Sequence, residues 1–241
     1  WLAVAAVVIV PAVVFLVLRA RMIGSLPAST LTMSHLDNPL VHAPIDARLC
    51  SAVLIWGYGL LLVLLPFRLQ VDYGPSQFPI VSGFKDPWIL GTLVAAAALL
   101  FVALQIVRGW RQRPMVALAA AAFLGFSFIV SNVPTPTFMV FAERVYFTPS
   151  LGMVLLLAFG IDRVRHLPRV WPVALLAIGA WLGASSYVAW QRNFFWCDEE
   201  TVIRRGVVEA PASVRMHLCA GVQANKLGDH GVARRHFEAA A

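Results

Sequence analysis

The sequence predicts an all-α protein, a polytopic helical membrane bundle of about six spans with a small helical module after it. Three observations carry this. Of 241 residues, 60% are apolar and 13% charged, with mean hydropathy +0.77, where a water-soluble domain runs near 25% charged. Six charge-free stretches are long and apolar enough to cross a hydrocarbon core about 30 Å thick. The composition then changes abruptly at residue 191, where six acids face seven bases. Too little polar surface is available for a soluble enzyme, a disordered tail or a nucleic-acid-binding domain.

The spans are expected at 1–18, 50–66, 88–107, 114–130, 146–161 and 170–190. A single Lys, Arg or Asp at a span centre costs about 2.5–3.5 kcal/mol, so the absence of charge is informative. None of the six alternates strictly, which favours helices over a closed barrel. The windows 114–130 and 146–161 are short and are expected to extend into their flanks or run obliquely. With regular alternation, the loops after the first, third and fifth spans hold Arg19, Arg21 and Arg48, then Arg108, Arg111 and Arg113, then Arg163, Arg165 and Arg169. The loops after the second and fourth hold only Arg68, Lys85 and Arg144. The excess of positive charge places the first set in the cytoplasm and 67–87, 131–145 and 191 onward outside or in a lumen. The chain opens at Trp1 inside an apolar run and closes on Ala239, Ala240 and Ala241 with no helix-ending signal. It is therefore expected to be an internal piece of a longer protein.

Two domains are expected: 1–190, a fragment of a larger helical membrane domain, and 191–241, a soluble module. From Ser213 the small and aromatic residues fall at Gly221, Gly228-Asp229, Ala233, Phe237 and Ala240, with Pro211 ahead. This spacing resembles the tetratricopeptide repeat, a helix–turn–helix in which small residues let two helices approach and an aromatic fills the gap. The large early positions of the pattern hold His217 and Ala220, which anchor the first helix weakly. Asp198 to Ala210 would form the second helix of a preceding half-repeat. A solenoid normally needs three or more repeats, so further repeats are expected after residue 241.

Candidate chemistry concentrates in two loops. Ser131-Asn132-Val133-Pro134-Thr135-Pro136 breaks the helix after the fourth span, and Phe141-Ala142-Glu143-Arg144-Val145-Tyr146-Phe147-Thr148-Pro149-Ser150 puts an acid and a base at the mouth of the fifth. Arg144 can offer a planar fork of donors to a phosphate, and Glu143 can orient it or bind a sugar hydroxyl. The plainer alternative is a flanking pair that snorkels to water. The other loop carries Arg68, Gln70, Asp72, Tyr73, Phe78, Pro79 and Lys85-Asp86-Pro87; it suits the lining of a lipid phosphate, or an interfacial aromatic belt. A third cluster, His35, Asp37, His42, Asp46 and Arg48, has no metal-ligand spacing, and Asp37-Asn38-Pro39 is a natural turn. No metal and no cofactor is expected. Gln105 and Ser185-Ser186 suit interhelical hydrogen bonds. Cys50, Cys197 and Cys219 lack zinc or CxxC spacing. Cys50 looks like a core residue, and a Cys197–Cys219 bridge would require an oxidising compartment.

Taken in order, Asp37-Asn38-Pro39, Arg48, Asp72-Tyr73 with Pro79, Ser131-Asn132, Ala142-Glu143-Arg144-Val145 with Pro149-Ser150, and the junction Trp196-Cys197-Asp198-Glu199-Glu200-Thr201 resemble the transmembrane and tetratricopeptide-repeat O-mannosyltransferase family. The likeness covers nearly the whole chain, and its most specific parts are the Glu143 to Ser150 run and the junction into repeats. It implies a GT-C class glycosyltransferase that moves a sugar, mannose in this family, from a polyprenyl-phosphate donor to a protein or other acceptor on the lumenal or periplasmic side. It further implies a bacterial inner membrane with periplasmic repeats, or endoplasmic reticulum with lumenal ones. Arg144 becomes the donor-phosphate contact, with Glu143 beside it and Arg68 and Asp72 in support. Tyr146 stands one place early and Phe147 takes the family's Tyr position. The family's general base is an acid in the first outer loop, upstream of this chain, so the catalytic residue is unknown and the fragment alone is expected to be inactive. The competing reading is a membrane-anchored repeat scaffold for partner proteins, without chemistry; a ligase or polymerase of O-antigen type would need a larger outer loop.

Overall fold

The structure, a computed structural model, describes Val17, Arg21 and residues 38–74, 77–83 and 85–241. The chain divides into two compact units, Trp1–Met33 and Ser34–Ala241. Of the first, only Val17 and Arg21 are described, both helical and exposed. Apart from Val17, the expected span 1–18 lies outside the described residues, as do Arg19 and, of the third cluster, His35 and Asp37.

All regular structure in the described part of the second unit is helical: α1 (Ile45–Leu64), α2 (Ile89–Gln112), α3 (Pro114–Ile129), α4 (Phe147–Val164), α5 (Trp171–Phe195), α6 (Glu199–Glu209), α7 (Val214–Lys226) and α8 (His230–Ala240), with 3-10 turns at Pro39–Val41 and Glu143–Tyr146. Helices α1, α2 and α5, and the run Glu143–Val164 that includes α4, are long and apolar enough to cross a membrane; α3 is a shorter apolar helix. Local chemistry sets the breaks. Pro66 follows the end of α1, and Pro114, which has no N–H to give, stands at the first position of α3 just after α2 stops. The last three helices are capped by side chains: Asp198 accepts from Thr201 N at 2.7 Å, Ser213 from Met216 N at 3.1 Å and Asp229 from Val232 N at 2.9 Å.

Small residues bring the membrane helices into backbone contact. A Cβ on Gly57 of α1 would overlap Ala95 of α2, and one on Gly152 of α4 would meet Ala119 O and Phe123 N of α3 at 2.5 Å. With little hydrophobic force between helices in lipid, such close approach supplies the packing. The core at these crossings holds Leu60, Leu99, Val102, Ala120, Phe123 and Met153. Trp56 donates to Ser127 Oγ at 2.8 Å across α1 and α3.

The direction of α1 departs from regular alternation. Thr92 Oγ1 donates to Cys50 O at 3.3 Å, a Cβ on Gly91 would lie 3.0 Å from Leu54, and Gly57 abuts Ala95. These contacts keep a nearly constant register, so α1 and α2 run in the same direction. Continuing that register puts Leu64 beside Val102, and α2 runs on for about ten more residues, roughly 15 Å at 1.5 Å per residue. The connection 65–88 therefore climbs back along α1: Tyr73 and Phe78 meet Tyr58 edge-on, and Val81 N donates to Ser51 Oγ at 2.8 Å. The 3-10 turn at Pro39 meets the loop after α3, since Asn38 Nδ2 donates to Asn132 Oδ1 at 2.9 Å. Residues 38–48 thus lie at the end of the bundle that holds 131–141, not at the end holding 108–113. The charge count had assigned Arg48 to the latter, because it assumed that every apolar helix reverses the side. Where α1 stops, a groove of about 840 Å³ opens between α2 and α4.

The C-terminal helices pair as the small residues indicate. A Cβ on Gly221 of α7 would lie 2.5 Å from the Phe237 ring of α8, so the ring occupies the space the glycine leaves. Gly206 of α6 accommodates Met216 in the same way. The turn between α7 and α8 uses Gly228 at φ 82°, where other residues are strained. His217 is an anchor after all, by hydrogen bonds rather than bulk: its Nε2 lies 3.0 Å from Pro211 O and its Nδ1 3.0 Å from His236 Nδ1. Cys50, Cys197 and Cys219 are free.

Candidate functional site

The two loops singled out in the sequence meet at one end of the bundle. Their shared floor is aromatic: Tyr73 packs edge-on to Phe141 at 4.9 Å, Phe141 lies 5.2 Å from Tyr146, and Tyr58 meets Phe78 at 5.1 Å. Gly59 leaves the space that the Tyr146 ring fills. Tyr146 is therefore a buried wedge in the core.

A buried amide clamp holds the second loop in place. Asn132 sits at φ 62°, a left-handed conformation that asparagine tolerates. Its Oδ1 accepts from Asn38 Nδ2 at 2.9 Å, Thr137 N at 2.8 Å and Thr137 Oγ1 at 3.1 Å, and its Nδ2 donates to Val140 O at 2.9 Å. Asn38 also donates to Thr137 O at 2.7 Å. Both asparagines are wholly buried, so the Asn38-Pro39 and Ser131-Asn132 motifs shape the loop.

Glu143 ties the loops together. Its Oε1 accepts from Tyr73 Oη at 2.5 Å and from Gln70 N at 2.8 Å. Burial and the neighbouring carboxylate push the Tyr73 hydroxyl well above the ordinary tyrosine pKa, so it stays protonated and remains a donor. Glu143→Ala leaves the Tyr73 hydroxyl and the Gln70 N–H without their shared acceptor. A loss of about 1–3 kcal/mol is expected, read as a lower thermal midpoint of the detergent-solubilised protein, with Tyr73→Phe producing a smaller drop.

Asp72 fastens the first loop to the C-terminal helices. It accepts from Ser213 Oγ at 2.7 Å and from Arg215 Nη1 at 3.3 Å, and its side chain is 11% exposed. Ser213 is also the cap of α7, so one hydroxyl both starts that helix and holds the loop. Nearby, Arg192 of α5 donates to Leu69 O at 2.9 Å and pairs with Glu209 of α6 at 3.6 Å. Nothing local in the sequence marks Ser213, Arg215 or Arg192 as partners of this loop, because they lie more than 120 residues from it along the chain.

Between these walls lies a cleft of about 190 Å³, lined by residues 70–73, 139 and 141–144 with Trp196 and Arg215. The Arg144 side chain is exposed on its rim and makes a weak contact to Met139 Sδ at 3.8 Å, and no carboxylate among the described residues pairs with it. Gln70 Oε1 is buried and without a hydrogen-bond partner. Of the four residues named from sequence, Glu143, Arg144 and Asp72 line the cleft. Arg68 does not: its side chain is exposed elsewhere, and its carbonyl is what the network uses, accepting from Tyr73 Oη at 3.4 Å. In the third cluster, Asp46 falls in the first turn of α1 and Arg48 Nε is buried without a partner. No grouping of His, Cys, Asp and Glu that could hold a metal occurs among the described residues.

Fold and site together define an integral membrane protein whose helical bundle carries, at one end, a cleft with an exposed guanidinium on its rim, bordered by the C-terminal helices. Comparison with known proteins narrows this class. The chain is similar to "Protein O-mannosyl-transferase TMTC1" of Mus musculus, 29% identical over 203 residues that make up 82% of this chain and 21% of that protein. It is also similar to "Protein O-mannosyl-transferase TMTC4" of Homo sapiens, 26% identical over 92% of this chain and 30% of the relative, and to the TMTC3 protein of the same name in Mus musculus, 24% identical over 81% and 21%. The likeness read from the motifs is thereby borne out along most of the chain. The chain spans between 21% and 30% of the length of these relatives. No family model and no solved structure matches it.

Proposed function

We propose that the chain is part of a membrane O-mannosyltransferase, its cleft receiving the head of a polyprenyl-phosphate mannose donor and passing the sugar to a protein acceptor. The carrying observation is the exposed Arg144 guanidinium on the rim of a cleft whose walls are fixed by Glu143 and Asp72, in a chain similar to proteins named for this reaction. A planar guanidinium without a carboxylate partner suits a phosphate, which it can grip with two parallel hydrogen bonds. It also stabilises the phosphate as a leaving group while the acceptor hydroxyl attacks the anomeric carbon. The unpartnered Gln70 amide oxygen suits a sugar hydroxyl as donor. Glu143 and Asp72 act as positioning residues, and the catalytic base belongs to another part of the parent protein.

Residues 1–190 form the membrane domain in this reading and 191–241 begin a tetratricopeptide-repeat domain. The far end of the bundle carries Arg108, Arg111, Arg113, Arg163, Arg165 and Arg169, against Arg48, Arg68, Lys85, Arg144 and Arg192 at the cleft end. Under the positive-inside rule this small excess favours a lumenal or periplasmic side for the cleft and the repeats. The test is Arg144→Ala in the full-length protein, assayed for mannose transfer to its acceptor. A fall of roughly 100-fold is expected, as for loss of one preorganised donor, with Arg144→Lys restoring part of the rate. Transfer by the alanine variant at the parental rate overturns the assignment.

A further inference from the structure

We propose that the groove beneath the end of α1 is a binding site for an anionic phospholipid, distinct from the cleft and independent of the function proposed for it. The groove exists because α1 stops while its neighbour α2 continues, which leaves about 840 Å³ between α2 and α4. That lies within the range of roughly 300–1,000 Å³ found for small-molecule sites. Its floor is apolar, with Leu60, Val102 and Met153 buried, and the exposed Arg113 and Arg163 line its solvent-facing edge.

Charge selects the occupant. The acid on the lining, Asp162, is already paired with Arg165 at 2.8 Å. Arg113 and Arg163 take part in none of the ion pairs among the described residues. An apolar trough with two uncompensated guanidiniums at its opening fits acyl chains joined to a phosphate headgroup. Gly160 deepens the trough: nothing lies within 4 Å of where its Cβ would stand. The headgroup cannot be the one held in the cleft. Glu143 and Arg163 stand near opposite ends of α4, whose 18 residues span about 27 Å.

The experiment uses the full-length protein, purified in detergent and mixed with dioleoyl phosphatidylglycerol or dioleoyl phosphatidylcholine, with retained lipid read by native mass spectrometry. Phosphatidylglycerol should be retained at least 10-fold over phosphatidylcholine. Two variants should each lower that retention about 10-fold at unchanged helicity and monodispersity: Arg113→Gln with Arg163→Gln, which removes the headgroup contacts, and Gly160→Phe, which fills the trough. Equal retention of the two lipids overturns the proposal, as does retention unchanged in both variants. Cross-linking of Gly160→Cys to another segment of the full chain rather than to a lipid-borne probe overturns it as well.

Discussion

Gly152→Leu will prevent the membrane bundle from assembling. The atoms that a Cβ would strike, Ala119 O and Phe123 N at 2.5 Å, are backbone, and no rotamer change can move them aside. The only relief is separation of α3 from α4, which opens the core where Phe123 is wholly buried and Met153 is 5% exposed. Overpacking alone costs about 1–3 kcal/mol, and forcing two helices apart also forfeits the contacts of everything packed beside them. The expected result is aggregated or degraded protein, seen as loss of the monodisperse peak on size exclusion in detergent. Gly125→Leu and Gly179→Leu are the matched controls. Their Cβ atoms meet nothing within 4 Å, and both should purify like the parent. A monodisperse Gly152→Leu protein with the parental melting point would refute the crossing described.

Asn132→Ala ranks next. It removes one acceptor serving Asn38 Nδ2, Thr137 N and Thr137 Oγ1, and one donor to Val140 O, all at a wholly buried site. Each buried group left without a partner costs about 1–3 kcal/mol. The left-handed backbone adds roughly 1–2 kcal/mol for alanine. Asn38 Nδ2 keeps Thr137 O and Thr137 Oγ1 keeps Met139 O, so Thr137 N and Val140 O are the groups left stranded, and a total loss of about 3–8 kcal/mol is expected. Asn132→Gly loses the same hydrogen bonds and keeps the backbone conformation, so it should be the milder variant. Thermal unfolding of Asn132→Ala, Asn132→Gly, Asn38→Ala and the Asn38/Asn132 double variant gives the comparison. The two asparagines should show a coupling energy, since they share one network. Additive effects would mean that the amides do not meet.

What could be read from the chain was whatever depends on near neighbours. Apolar length placed five of the six windows on helices, from α1 at Ile45–Leu64 to α5 at Trp171–Phe195, and the remaining one, 1–18, lies outside the described residues but for Val17. Helix ends strayed where charged residues such as Arg108 and Arg111 continue a helix past its apolar run. Gly221 and Phe237 announced their contact through spacing alone. The course of 65–88 was not legible. Counting charges presumes that each helix changes side, and nothing local in Leu69 or Tyr73 says that the loop climbs along its own helix. The same limit hid half of the cleft. Glu143 and Arg144 stand out as an acid–base pair between apolar runs, but Ser213 meets Asp72 across 141 residues of sequence. Partners at that separation are chosen by folding and leave no periodicity to find.

The Asp72 attachment has a mechanical consequence. Ser213 and Arg215 grip the strap of chain that forms one wall of the cleft at Asp72, and Arg192 grips it again at Leu69. Any force that tilts the C-terminal hairpins is delivered through these fastenings to the rim where Arg144 stands. Under the proposed function, a polypeptide captured by the hairpins would thus tug on the walls of the cleft.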